Sequence, residues 1–188
     1  MKRNIQQRTV VTPLPVLIVA TYDESGTPNA MNAAWGGQCG YHEVALNLSA
    51  GHKTTENIRK NKAFTLSIGT VDTMLLCDYF GLVSGRKENK IEKAGVHVEK
   101  SKFVNAPVIT EFPLTMECEV ISINDELDET RIVGRVVNLQ AEETLFNESG
   151  KLDFSLLRPI SYDSETHSYR ELGGVIGKAF HDGSQLIK

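Results

Sequence analysis

Lys53, Thr54 and Thr55 stand together where Gly51-His52-Lys53-Thr54-Thr55-Glu56-Asn57-Ile58 passes from loop to helix. Either threonine suits the N-cap, with Glu56 in the first turn ahead of apolar Ile58. A helix N-terminus presents unpaired backbone N–H groups and a partial positive charge. An ammonium and two hydroxyls placed there make a phosphate seat. The same residues also suit a plain capped surface helix with a solvated lysine, and the segment alone leaves both readings open.

Upstream, Asn32-Ala33-Ala34-Trp35-Gly36-Gly37 is predicted to be a strand of small residues around the single tryptophan. So little side chain lets a flat ring approach backbone donors and acceptors, or lets another element pack closely. Other chemistries lack their residues. There is no G-x-G-x-x-G after a strand and no G-x-x-x-x-G-K-[ST], so neither a Rossmann fold nor a P-loop is supported. The five histidines show no i, i+4 pair and no H-E-x-x-H, so no metal site is expected. No serine occupies a G-x-S-x-G elbow, and no catalytic side chain is assigned.

The elements around these segments are mostly strands. Thr9–Thr12 suits a lead-in strand, and Pro13 and Pro15 then hold the chain extended into the apolar run Val16–Tyr22. Asp23–Pro28 contains Gly26 and predicts a hairpin between Val16–Tyr22 and Asn29–Trp35. Val44–Ser49 is the next strand, Thr54–Lys62 a short helix, and Ala63–Ile68 an alternating strand. Asp72–Leu82 is predicted helical, and the very polar Ser84–Gly95 a loop and short helix stopped by glycine. Residues 96–108 are expected to be irregular, with Phe103 and Val104 extended. Leu114–Ile123 and Arg131–Leu139 predict two long strands joined across residues 124–130. That order suits an antiparallel barrel with helical insertions better than a βαβ sheet.

At 188 residues the chain suits one domain, 1–188, with residues 140–188 as a tail packing on the barrel or on a dimer partner. Net charge is −4 with both signs interspersed, which points to neither nucleic acid nor membrane as partner. No apolar run reaches membrane-spanning length, and Met1-Lys2-Arg3 is not followed by a signal-peptide core. Cys39, Cys77 and Cys118 are odd in number and widely spaced, which fits three buried thiols in a reducing cytoplasm.

Taken together, the segments resemble the flavin reductase-like domain family, the FMN-binding split barrels that include flavoredoxins. The resemblance rests on Pro15–Val19 with Gly26 and Asn29, Asn32–Trp35, His52–Ile58 and Phe64. It continues through Asp78–Gly85 with Lys90, Ala106-Pro107, Glu117-Cys118 and Gly134–Val136. It implies a mainly β (β+α) fold, a split β-barrel with short helical insertions, assembled as a homodimer with FMN near the interface.

On that resemblance Asn32, Ala33, Ala34 and Trp35 would line the isoalloxazine. Ser49, Lys53, Thr54, Thr55 and Asn57 would hold the ribityl chain and phosphate, and Ser84, Gly85 and Lys90 would close over them. The glycine-rich run Trp35–Gly40 departs from many relatives and would widen the pocket. The implied activity is an NAD(P)H:flavin oxidoreductase, with NADH or NADPH giving hydride to flavin and a redox partner protein as a possible acceptor. A flavoredoxin-like electron carrier with tightly bound FMN, and a non-enzymatic FMN-binding module, are the alternatives.

Overall fold

The computed structural model describes residues 1–188 apart from Gln7, Leu127 and Lys188. The strands in the first half are β1 (Leu14–Pro15), β2 (Leu17–Tyr22), β3 (Pro28–Ala33), β4 (Gly36–Gln38), β5 (Glu43–Ser49) and β6 (Ala63–Ile68). Those in the second half are β7 (Val98–Lys100), β8 (Pro107–Ile109), β9 (Leu114–Glu126), β10 (Glu129–Ala141), β11 (Ile160–Asp163) and β12 (Ser168–Glu171). Four α-helices are interspersed: α1 (Lys53–Asn61), α2 (Met74–Leu82), α3 (Lys90–Ala94) and α4 (Phe154–Leu157).

Seven strands form one antiparallel sheet in the order β3-β2-β6-β9-β10-β5-β4. Its two edge strands, β3 and β4, are separated in sequence only by Ala34 and Trp35. So short a span cannot bridge a flat sheet, so the sheet curls until its edges approach. The result is the split β-barrel expected from the sequence.

The small-residue segment is therefore not one strand over Asn32–Gly37. It breaks at Ala34-Trp35, and its second part pairs with β5 instead. Gly36 lies so close to β5 that a Cβ there would stand 2.7 Å from Leu46 Cδ2 and 2.8 Å from the Ala45 carbonyl. That glycine serves close strand packing, whereas Gly37 next to it has open space around it.

β2 explains why its sequence is a continuous apolar run. Leu17 and Val19 join the barrel interior with Leu46, Ile58, Phe64 and Ile132. Ile18 and Ala20 point the other way, into a second core with Phe80, Ile91, Ile109 and Phe112. Both faces are buried, so alternation disappears. β9 and β10 run longer than predicted, at 13 residues each, and bend at irregularities after Val133 and Val136. The connection expected over residues 124–130 includes Leu127, outside the described residues.

Other boundaries also differ from the sequence expectations. Residues 9–12 form no strand, and the arm first pairs at β1 with β11. Residues 96–108 are not simply irregular, because β7 and β8 form a hairpin while Phe103 and Val104 lie in its turn. Ser101 ties that turn to the sheet by donating to the buried carboxylate of Glu117, which also accepts from Asn138 Nδ2 (2.6 Å) and Gln140 Nε2 (2.8 Å). Cys77 and Cys118 are buried, and burial pushes their thiols up to about 11 and about 12. Cys39 is exposed, against expectation. No helix among the described residues is long and apolar enough to cross a membrane.

Gly134 sits against the core from β10, where a Cβ would stand 2.6 Å from Phe64 Cζ. Phe64 has no exposed surface and little room to move. Gly134→Ala should therefore cost about 1–3 kcal/mol by overpacking, read as a lower urea midpoint with unchanged m-value.

Candidate functional site

β3 and the N-terminal turn of α1 form one wall of a groove, and the polar segment after α2 forms the other. The groove has two lobes. The first, about 260 Å³, is lined by Asn29, Asn32, Lys53, Thr54, the Ser84-Gly85 turn and Lys90. The second, about 310 Å³, is lined by Asn32, Ala33, Ala34, Trp35 and Ser49. Met31, Asn32 and His52 belong to both. Ten of the twelve residues singled out in the sequence thus lie on the walls of one groove.

Thr55 and Asn57 do not. Both are buried, and Thr55 Oγ1 donates to the Ser49 carbonyl at 2.8 Å while Asn57 Nδ2 donates to Thr21 Oγ1 at 3.1 Å. They anchor α1 to β5 and β2 beneath the groove. The N-cap also differs from expectation, because it is His52, with no side-chain hydrogen bond to the first turn. Thr54 and Thr55 fall inside the helix, and Thr54 Oγ1 accepts from Asn29 Nδ2 at 3.0 Å. The helix terminus faces the first lobe without a capping side chain.

Asn29 was not among the predicted site residues. It is buried, and its Oδ1 has no hydrogen-bond partner although its Nδ2 is engaged. An unpaired buried acceptor is costly and calls for an explanation. Gly85 packs directly over it, since a Cβ there would fall 2.1 Å from Asn29 Oδ1. Asn29 belongs to the run that carries the family resemblance, and its place beside buried Ala30 is the signal that could have marked it.

The charges of the first lobe are arranged unequally. Lys53 Nζ and Arg86 Nη2 both reach Glu56, at 3.1 and 2.8 Å. Hydrogen bonds from Lys53 and then Arg86 hold the Glu56 carboxyl down to about 2. Lys90 is only 3% exposed and donates to the Phe80 carbonyl at 3.0 Å. No carboxylate stands within ion-pair distance of it among the described residues. Burial pulls its ammonium down to about 8, with Glu88 opposing weakly. The first lobe therefore offers cations and hydroxyls to an anion, and the second offers the small side chains of Ala33 and Ala34 between Met31 and Trp35.

Asn32 links the lobes to α2. Its Nδ2 donates to the Cys77 carbonyl at 2.9 Å, and Tyr169 from β12 donates to Asp78 at 3.0 Å beside it. Burial, then Asp78, pushes the Tyr169 hydroxyl up to about 12, so it remains a donor. Trp35, 59% exposed, forms the outer rim. Among the described residues no group of three His, Cys, Asp or Glu is placed to hold a metal ion.

Comparison with known proteins agrees with this geometry. Residues 9–163 match the family model described as flavin reductase like domain. The chain belongs to that family. Flavoredoxin of Desulfovibrio vulgaris (Miyazaki F) is 30% identical, with a TM-score of 0.92 over 97% of this chain and 100% of that one. Flavoredoxin from Methanosarcina acetivorans is 25% identical, with a TM-score of 0.90 over 99% of each chain. An uncharacterized protein of Archaeoglobus fulgidus is 30% identical over 114 residues, 60% of this chain and 64% of that relative.

The buried Lys90 makes a signed prediction about stability. In the unfolded chain this lysine holds its proton to about 10.5, and in the fold only to about 8. Between those values the unfolded state binds more protons, so stability rises with pH; below about 8 the cost is fully present. That cost is on the order of 3 kcal/mol. Lys90→Met should thus be more stable than the parent at pH 7, and the gap should narrow from pH 8 to 10 in thermal melts of the flavin-free proteins.

Proposed function

We propose that this chain binds FMN in the groove and acts as an NAD(P)H-dependent flavin oxidoreductase. The observation that carries this reading is a pair of groups in the first lobe: a buried ammonium with no carboxylate at ion-pair distance among the described residues, and a buried carbonyl oxygen without a donor. A ribityl phosphate answers both, because the phosphate supplies negative charge and a ribityl hydroxyl supplies a donor for Asn29. The uncapped terminus of α1, Lys53 and the hydroxyls of Thr54 and Ser84 suit the phosphate. Asn32, Ala33, Ala34 and Trp35 suit a flat ring, with Ser49 beside them.

When bound, FMN supplies the capacity to accept hydride from a nicotinamide donor and to pass electrons onward. The protein's part is to hold, orient and shield. Thr55 and Asn57 keep the helix terminus in place from beneath, and Gly85 allows the polar turn to close on Asn29. The chain acts as one unit over 1–188 in this reading, as a homodimer.

A second reading is a flavoredoxin-like carrier that retains FMN and exchanges electrons with another protein. It is favoured by near-complete structural overlap with two flavoredoxins. The two readings separate in an anaerobic spectrum of the FMN-loaded protein. Bleaching within seconds on NADH or NADPH marks the oxidoreductase and names its donor. Bands that resist both nucleotides yet bleach with dithionite mark the carrier. Failure to take up added FMN would sink both.

Lys53→Ala should weaken FMN about tenfold or more in a fluorescence titration, the scale of one charged hydrogen bond. Gly85→Ala should weaken it too, by driving Asn29 aside from Thr54. Undiminished affinity in Lys53→Ala would overturn the phosphate assignment.

A further inference from the structure

A larger cavity adjoins the cofactor groove at Trp35. Its volume is about 850 Å³, and Ala34, Trp35 and Asn47 line both it and the second lobe. The N-terminal segment contributes Val11 and Leu14 to its lining, β4 contributes Gly37, and the β11–β12 hairpin contributes Tyr162 and His167. Arg8 Nη2 reaches Glu165 of that hairpin at 2.8 Å, which ties the N-terminal segment to it. Among the described residues no Lys, Arg, Asp or Glu lines this cavity, whereas the first lobe carries Lys53 and Lys90. A charged ligand here would lose its hydration with no counter-charge to replace it, so the lining selects a neutral one.

Two of its polar groups are joined. The Tyr162 hydroxyl and His167 Nδ1 lie 2.9 Å apart. The turn that brings them together is tightly set. Asp163 Oδ1 accepts from the Glu165 amide at 2.9 Å and from the Thr166 amide at 3.3 Å, and His167 then takes a φ of 50°. Residues with a side chain rarely enter that left-handed region, though histidine tolerates it better than most. A backbone cost met beside a cavity is a mark of a working position. When Nδ1 carries the proton it donates to the phenol oxygen, and the Tyr162 O–H is free for a carbonyl. The same pair lines a smaller cavity of about 360 Å³ together with Asn32 and Asp78, so it stands where the larger cavity meets the cofactor groove.

Gly37 shapes the β4 side. Successive strand positions face opposite ways, and the Gly36 position is pressed on Leu46, so the Gly37 position faces outward, with nothing within 4 Å of it. Bare backbone beside the Trp35 indole is a surface for a flat ring. We propose that this cavity is a second ligand site and takes a neutral, planar quinone, with one carbonyl on the Tyr162 hydroxyl and its ring beside Gly37 and Trp35. Its role rests on the FMN reading, on which the quinone is the electron acceptor. It takes two electrons from the reduced cofactor and two protons, one through the Tyr162 hydroxyl, which solvent re-protonates, and one from solvent directly. It leaves as the hydroquinone. The binding itself does not rest on that reading.

Flavin-free protein titrated with 2,3-dimethyl-1,4-naphthoquinone keeps this test distinct from failure to bind FMN. The probe's quinone ring leaves no position open to addition by Cys39, which also lines the cavity. Calorimetry should show saturable binding, and the indole N–H resonance of Trp35, the single tryptophan, should shift along the same curve. Gly37→Phe grows into open space and should weaken binding about tenfold or more by filling the cavity. Tyr162→Phe should weaken it about fivefold, the scale of one neutral hydrogen bond. Saturating FMN should not displace the quinone, because the two occupy adjoining cavities. A chain that binds the quinone yet takes up no FMN would remove the acceptor role and keep the site. No saturable binding, as when a second copy covers the cavity, binding indifferent to both substitutions, or displacement by FMN would overturn the proposal.

Discussion

Ala34 and Trp35 carry the chain from one edge of a seven-stranded sheet to the other, and that two-residue span sets the curl of the whole sheet. Everything near the groove follows from it. β3 and β4 must come together, so Gly36 must approach β5 closely and can carry no side chain. The Trp35 carbonyl accepts from Asn47 N at 2.8 Å, which fastens the seam to β5. Because the edges meet only through this link, the sheet stays open on one side, and the groove occupies that opening. A longer connection would have let the sheet flatten and the lobes separate.

Two buried charged groups show how the fold distinguishes support from site. Glu117 is 1% exposed and its carboxylate accepts from Ser101, Asn138 and Gln140, so its lone pairs are used within the protein. Lys90 is 3% exposed and has one carbonyl for three N–H donors, with no carboxylate at ion-pair distance among the described residues. The first arrangement is self-sufficient and pins a hairpin to the sheet. The second lowers stability while empty and recovers it only when something negative arrives. Asn29 repeats the pattern as an acceptor, and the two face the same lobe. Unspent polar groups converging on one cavity are stronger grounds for a ligand than the helix terminus alone.

The sequence disclosed what depends on local pattern. Alternation marked β6, β9 and β10, proline and glycine marked the β2–β3 hairpin, and the charged run after α2 marked a polar wall. What it hid depends on partners distant in the chain. Nothing in Asn32–Gly37 signals a break, because the break is imposed by β5 approaching from the other edge. Thr54 has N-cap chemistry, yet its hydroxyl is claimed by Asn29, 25 residues earlier, and the cap falls to His52. Thr55 and Asn57 have the right functional groups beside the right helix end, but the helix rotation turns them inward. Spacing alone could give their neighbourhood but not their direction.

The two lobes also differ in what they control. Asn29, Thr54 and Lys90 in the first are buried and held in place, so whatever binds there gains affinity from preorganised polar groups. The second is bounded by a tryptophan more than half exposed and, along Ala33-Ala34, by small side chains. On the FMN reading, residence of the cofactor is then governed by the first lobe, whereas access of a nicotinamide or a protein acceptor is governed by whatever covers the second. A carrier and a reductase built on this barrel need not differ in the phosphate seat at all.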